Sequence, residues 1–356
     1  MAPRRNGYRL ARAALAVPVV LTVLAACSGQ SGGSSAPGSS PAGPSSTGPT
    51  ASATPSAARK AAKPPAIVAV TKAGALVVLD SANGSVARTL VPGGVLGDEI
   101  SVAPGGDTVY FAVHSGCLGK VESVPVTGGS PTMISKGTLP AISPDGSRLA
   151  IANDPALTSG CQPPGDQVSQ KYTMVIRTLS TGTQAVYPML PAGQNSGLPA
   201  PISHLSWSPD GTSIAVSIAS VQDNEGWNVV LVDPAAAKDY LSGPGVQVIP
   251  VTGEPTARIS YLREGVYLPN GNLFVSRACC GGFPVHNTSR LMWEVSPSGV
   301  LVHQVAIGFA DLDHVSLAAS PSGAWLLYLA GGALYVSHHG NKPSQLTAGM
   351  IAAAWK

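Results

Sequence analysis

From Ala66 to Lys356 the chain alternates between short apolar runs and turns rich in glycine, proline, serine and aspartate. No run follows the 3.6-residue period of an amphipathic helix, so strands are expected throughout. The most regular stretch is "WSPDGTSIAV" (Trp207–Val216), a tight turn followed by an alternating apolar run. Four relatives carry the same Pro-x-Gly turn before an apolar strand: "VAPGGDTVYFAV", "ISPDGSRLAIAN", "YLPNGNLFVSRA" and "ASPSGAWLLYLA". Proline fixes φ at the first turn position, Asp, Asn or Ser suits the second, and glycine supplies the positive φ that follows.

The turn prolines are Pro104, Pro144, Pro209, Pro269 and Pro321, so the spacing runs from 40 to 65 residues. Repeats of that length indicate propellers or solenoids. Within each unit a second apolar strand follows, such as "TMVIRTL", "NVVLVD", "RLMWEV" or "ALYVSH", and then a polar turn and a short last strand. Four strands per repeat with no helix between them make a propeller blade. A pair of β-sandwiches is the competing all-β architecture, but nothing in a sandwich requires one turn to recur at one place in every unit.

The strands "AIVAV", "GALVVLD" and "VARTLV" lack a Pro-x-Gly strand before them, and "AGMIAAAWK" reads as an inner strand. The two ends therefore combine into one composite blade. The expected fold is all-β, a six-bladed β-propeller closed by its C-terminal strand. Closure of this kind pairs sheet edges that would otherwise stay open. The repeats resemble those of the TolB-like, WD-type propeller family, whose units carry a W-S-P-D-G core. Trp207–Gly211 matches it in full, and Ser143–Gly146 lacks only the tryptophan. Gly105, Asn270 and Ser322 replace the aspartate in the other copies. The resemblance implies an interaction domain of the bacterial envelope and does not imply one activity.

The N-terminus has a different pattern. Arg4, Arg5, Arg9 and Arg12 precede an apolar run, Ala13–Ala26, that holds no acidic residue. This is the layout of an export signal, and the run is shorter than the ~20 residues a membrane-spanning helix needs. Leu24-Ala25-Ala26-Cys27 resembles the lipobox of bacterial lipoproteins, which implies lipidation of Cys27. Residues 28–65 are a Ser/Gly/Pro/Ala/Thr tract, too poor in apolar surface to offset its ordering entropy. The expected organisation is a signal peptide at 1–26, a lipidated cysteine and disordered linker at 27–65, and a propeller at 66–356. The composition and the lipobox suit an actinobacterial lipoprotein on the outer side of the cell membrane.

The formal net charge of +3 comes from the signal. Without its four arginines, 17 Lys and Arg face 18 Asp and Glu, which leaves no basic footprint for nucleic acid. A monomer is expected, with no cofactor and no metal.

In a four-stranded meander the first and third turns share one face. The second turns and the connections between blades share the other, where the long insertions and the cysteines Cys117, Cys161, Cys279 and Cys280 fall. Binding is expected on that second face, because variable loops on a rigid scaffold commonly carry it. Exported proteins keep disulfides, and Cys117 with Cys161 occupies equivalent loops of neighbouring blades. Adjacent Cys279 and Cys280 could instead pair with each other, or hold a metal together with His286, although no C-x-x-C spacing supports the metal.

Five residues before each turn proline lie Glu99, Leu139, His204, Glu264 and Ser316, with Asp313 and His314 close to the last. Glu99, His204, Glu264, Asp313 and His314 are the candidate ligand-binding residues at the channel mouth. The plainer reading of the row is a solvated rim that hydrogen-bonds loop backbone. Two functions remain: a tethered module binding an envelope protein or small extracellular ligand, or a glycan- or peptide-directed lyase or hydrolase. The enzyme requires Glu99, His204 and Glu264 to converge. No nucleophile–base pair is evident in the sequence.

Overall fold

The computed structural model describes residues 64–97, 100–115, 119–153, 172–188, 201–218, 228–240, 243–249, 261–278, 291–306, 316–338 and 341–356. Its strands form six four-stranded antiparallel sheets, the blades of the expected propeller. Blade 1 runs β24 (Met350–Trp355), β1 (Ile67–Thr71), β2 (Leu76–Leu79) and β3 (Val86–Val91) from inside to outside. Blade 2 is β4 (Ser101–Val102), β5 (Thr108–Val113), β6 (Lys120–Pro125) and β7 (Thr132–Lys136). Blade 3 is β8 (Thr138–Ile142), β9 (Arg148–Asn153), β10 (Thr173–Thr178) and β11 (Gln184–Pro188).

Blade 4 is β12 (Ile202–Trp207), β13 (Ile214–Ile218), β14 (Asn228–Val232) and β15 (Val246–Val248). Blade 5 is β16 (Tyr261–Tyr267), β17 (Leu273–Ala278), β18 (Leu291–Val295) and β19 (Leu301–Ala306). Blade 6 is β20 (Ser316–Ala319), β21 (Trp325–Ala330), β22 (Ala333–His338) and β23 (Ser344–Ala348). The composite blade forms as the sequence implies. Ile67 lies opposite Trp355 and Val70 opposite Ala352, so the last strand becomes the inner strand of the first blade.

The core is divided among the blade interfaces. Ile67, Leu79, Leu327 and Leu334 pack blade 6 on blade 1, and Val68, Leu76, Val109 and Phe111 pack blade 1 on blade 2. Tyr110, Val121, Leu149 and Ile151 join blades 2 and 3; Met174, Ile176, Ile214 and Val216 join blades 3 and 4. Ala215, Val229, Leu273 and Trp293 join blades 4 and 5; Phe274, Met292, Leu326 and Tyr328 join blades 5 and 6.

This arrangement corrects one detail of the sequence pattern. The middle strands are not half-buried alternators: every residue of Ile214–Ile218 is buried, and so are five of the six in Trp325–Ala330. Each blade has a neighbour on both faces, so both side-chain sets face protein. The outer strands keep runs of exposed positions, as in Val86–Val91, whose first four residues are exposed.

Candidate functional site

The inner strand of each blade presents an unpaired backbone edge to the central channel, and buried edges need partners. Neighbouring blades supply them. Ser101 Oγ accepts from the Ile142 N–H (3.0 Å), and Ser206 Oγ accepts from the Tyr267 N–H (3.0 Å). Trp207 Nε1–H donates to the Ala141 carbonyl (2.9 Å), and Trp355 Nε1–H donates to that of Ala318 (3.2 Å). Glu264 Oε1 accepts from the Leu317 N–H (3.0 Å). The tryptophan of the repeat is therefore a stitch between inner strands as well as a core residue.

A serine stands directly before the turn proline in three of the five repeats, at Ser143, Ser208 and Ser320, and has a task that the sequence pattern did not reveal. Ser143 and Ser208 are buried; each accepts from a backbone N–H five residues on, Arg148 or Ser213, and donates to the turn aspartate. Asp145 and Asp210 then accept from the N–H groups of Ser147 and Thr212 (both 3.0 Å). These hydrogen bonds, led by the one from the turn serine, hold both carboxyls below the usual carboxylate range, Asp145 the further of the two. Gly146 (φ +72°) and Gly211 (φ +69°) adopt the left-handed conformation the turn needs.

All six inner strands line one concavity of about 440 Å³, which reaches the prolines Pro104, Pro144, Pro209, Pro269 and Pro321. It therefore opens on the Pro-x-Gly face. Its wall includes Ile142, Val266 and Ala354, the hydroxyl residues Ser101 and Ser206, and His204 deeper down. Such a surface can take an apolar group and orient it through hydroxyls.

His204 and Glu264 meet across blades 4 and 5, with Nδ1 and Oε1 3.1 Å apart. Both side chains are close to nine-tenths buried, so they do not form a solvated rim. Burial raises the Glu264 carboxyl above its ordinary range and lowers the imidazole below its own, which favours the uncharged forms. Oε1 then receives both the Leu317 N–H and the imidazole, and the pair acts as a clamp between three inner strands.

The row shares a backbone device. Register shifts mark β-bulges between Ile202 and His204, between Leu262 and Glu264, and between Thr138 and Ala141. In the last, Leu139 occupies the row position with φ +51°. A bulge re-aims the side chain beside it, and this turns His204 and Glu264 toward each other.

Glu99, Asp313 and His314 lie outside the described residues, as do Cys27, Cys117, Cys161, Cys279 and Cys280. Most of the long segments 153–171, 188–201, 219–227, 252–265 and 277–290, on which binding was expected, also lies outside them. Among the described residues no group of three His, Cys, Asp or Glu side chains could hold a metal ion.

The Pro-x-Gly face also carries a cleft of about 690 Å³ between blades 4 and 5, lined by Ser208, Asp210, Asp233, Gln247, Tyr267 and Gly271 among others. A smaller one of about 300 Å³ lies between blades 5 and 6, with Glu294 and His303 in its wall. Sequence reasoning missed both clefts.

No protein-family model matches the sequence, and no curated protein matches it. The fold has solved counterparts. TolB from Acinetobacter baumannii superposes with a TM-score of 0.54 at 13% identity, over 82% of this chain and 65% of that one. The chain thus spans less than two thirds of that TolB. A chain of a nidogen/laminin complex superposes with a TM-score of 0.52 at 8% identity, over 81% of this chain and 97% of that one. Identities this low establish a shared propeller fold.

Proposed function

We propose that the chain is an extracytoplasmic β-propeller lipoprotein, tethered to the membrane through Cys27, that binds a protein partner or a small extracellular ligand. The observation that carries this reading is the convergence of all six inner strands on one open concavity of about 440 Å³, walled by apolar side chains and hydroxyls. A ring whose blades are packed and hydrogen-bonded to one another presents such a surface without reorganising, which keeps the cost of binding low. Solved propellers of this shape include TolB and a chain from a nidogen/laminin complex, the second of which is part of a protein assembly.

The tether rests on Leu24-Ala25-Ala26-Cys27 after the arginine-led apolar run and before the Ser/Gly/Pro tract. Two acyl chains would hold the protein stably, at about 0.8 kcal/mol per buried methylene. The binding face we assign is the Pro-x-Gly face, where the described concavities open.

Two measurements test the proposal. Growth with labelled palmitate should mark the wild-type chain, and Cys27→Ala should lose the label and leave the membrane fraction. The untethered propeller, presented to solubilised envelope proteins and extracellular small molecules, should retain a partner that Ala318→Trp, at the channel wall, releases. Retention unaffected by Ala318→Trp would move the site elsewhere, and turnover of a glycan or peptide without any retained partner would overturn the binding role.

A further inference from the structure

The clefts between blades 3 and 4 and between blades 4 and 5 are built from equivalent residues, yet their contents differ. In the first, Arg148 lies 4.6 Å from the centre of the Trp207 ring and donates from Nη2 to the Gly211 carbonyl (2.6 Å). A guanidinium thus fills the space between an aromatic face and a turn carbonyl, an arrangement that cation–π attraction favours.

One blade on, each part has a counterpart. Ser213 stands where Arg148 stood: its N–H bonds Ser208 Oγ as the Arg148 N–H bonds Ser143 Oγ. Tyr267 pairs with the first residue of its neighbouring strand, Leu273, as Trp207 pairs with Ile214. Gly271 N–H bonds the Leu268 carbonyl as Gly211 N–H bonds that of Ser208.

The guanidinium alone has no counterpart. Ser213 reaches only as far as the Tyr267 hydroxyl (3.3 Å). A Cβ built on Gly211 would lie 3.3 Å from Arg148 Nη2, whereas one built on Gly271 would meet nothing within 4 Å. The space is instead the cleft of about 690 Å³, whose wall holds two carboxylates, Asp210 and Asp233, and, among the described residues, neither Lys nor Arg. Hydrogen bonds from Ser208 and Thr212 keep Asp210 ionised well below neutral pH. At the other side of the cleft, Gln247 Nε2 donates to the Pro297 carbonyl (3.0 Å) and ties blade 4 to blade 5.

We infer that the cleft between blades 4 and 5 receives a guanidinium from outside the chain, an arginine side chain displayed by a partner polypeptide, which seats over Tyr267 with Asp210 and Asp233 as counter-charges. Arginine fits better than lysine because its plane can stack on the ring while its edge N–H groups reach a carbonyl and a carboxylate together. A cleft of this volume exceeds one arginine side chain and leaves room for the flanking backbone. The inference rests on the binding role proposed above and adds the chemistry of the partner.

The test uses the folded chain and three probes: N-acetyl-L-arginine amide, its citrulline counterpart, and free arginine. Amide resonances of Gly271 and Tyr267 should shift saturably with the capped arginine, and about tenfold more weakly or not at all with neutral citrulline. Asp233→Asn should weaken the capped arginine about tenfold, and added salt should do the same in the wild type. Equal binding of free and capped arginine would point to an amino-acid ligand and overturn the peptide source; preference for the capped form supports it. Ser213→Arg supplies the missing guanidinium from within. It should raise the melting temperature and abolish binding of the probe. Absence of saturable shifts in the wild type, or binding undiminished in Ser213→Arg, would refute the inference. If the partner of the whole propeller is still retained in Ser213→Arg, the cleft inference fails while the binding role stands.

Discussion

Ser143 shows what a single side chain does in this fold. It is fully buried, and its hydroxyl serves both the Arg148 N–H and the Asp145 carboxylate. Ser143→Ala should therefore cost about 1–3 kcal/mol in urea unfolding, because it leaves a buried N–H without its acceptor. Asp145 and Asp210 carry the pH dependence of the turns. Their folded carboxyls titrate below the unfolded range, so the stability they add is present above pH ~4 and is lost as pH falls through the folded values. The melting temperature of an Asp145→Asn, Asp210→Asn double variant should trail the wild type at pH 7 and approach it near pH 2.

Glu264 works with the opposite sign. Its raised carboxyl means that the folded state keeps a proton the unfolded state has released, so its contribution falls as pH rises toward 8; the lowered His204 imidazole opposes this below about pH 6.5, and the net decline belongs above it. Glu264→Gln should flatten that alkaline decline in thermal unfolding followed from pH 5 to 9. An unchanged decline would show that the clamp is ionised in the fold. The sequence showed the row containing His204 and Glu264 by its spacing from the turn prolines. It could not show that the two touch, because the bulges that re-aim them have no residue-type marker at Ser203 and Arg263.

At the scale of the element, the repeat was legible because its turn demands particular residues. Pro and Gly at fixed offsets are required by φ, and they mark the start of a strand in five blades. The stitches were not legible, since a serine or a tryptophan three or two residues before the proline looks like ordinary strand composition. Trp207→Phe isolates the stitch from the packing. It keeps an aromatic face for Arg148 and removes the donor to the Ala141 carbonyl. The expected cost is about 1–3 kcal/mol in urea unfolding, which includes some loss of indole packing.

At the scale of the molecule, ring closure depends on one strand from each end of the propeller. The register of β1 with β24, from Ile67 opposite Trp355 to Thr71 opposite Met350, is continuous apart from one bulge. Deleting 350–356 would open the inner edge of blade 1 and expose Ile67, Ala69 and Leu327, which pack with Trp355 in one core cluster. Such a truncation should lose its cooperative thermal transition and elute as aggregate in size-exclusion chromatography. The closure and the blade count were readable from apolar runs at the two ends. The cleft between blades 4 and 5 was not, because it arises where one side chain, Ser213 in place of an arginine, leaves space between two packed blades.

Binding was proposed above for the Pro-x-Gly face. Photo-crosslinking in living cells tests it most directly, with a benzophenone amino acid placed at Asn270 or Pro321 on that face and at Ala73 or Gly331 on the other, all four exposed. A discrete adduct is expected from Asn270 and Pro321 and none from Ala73 or Gly331. The same adduct arising from Ala73 and Gly331 alone would contradict it.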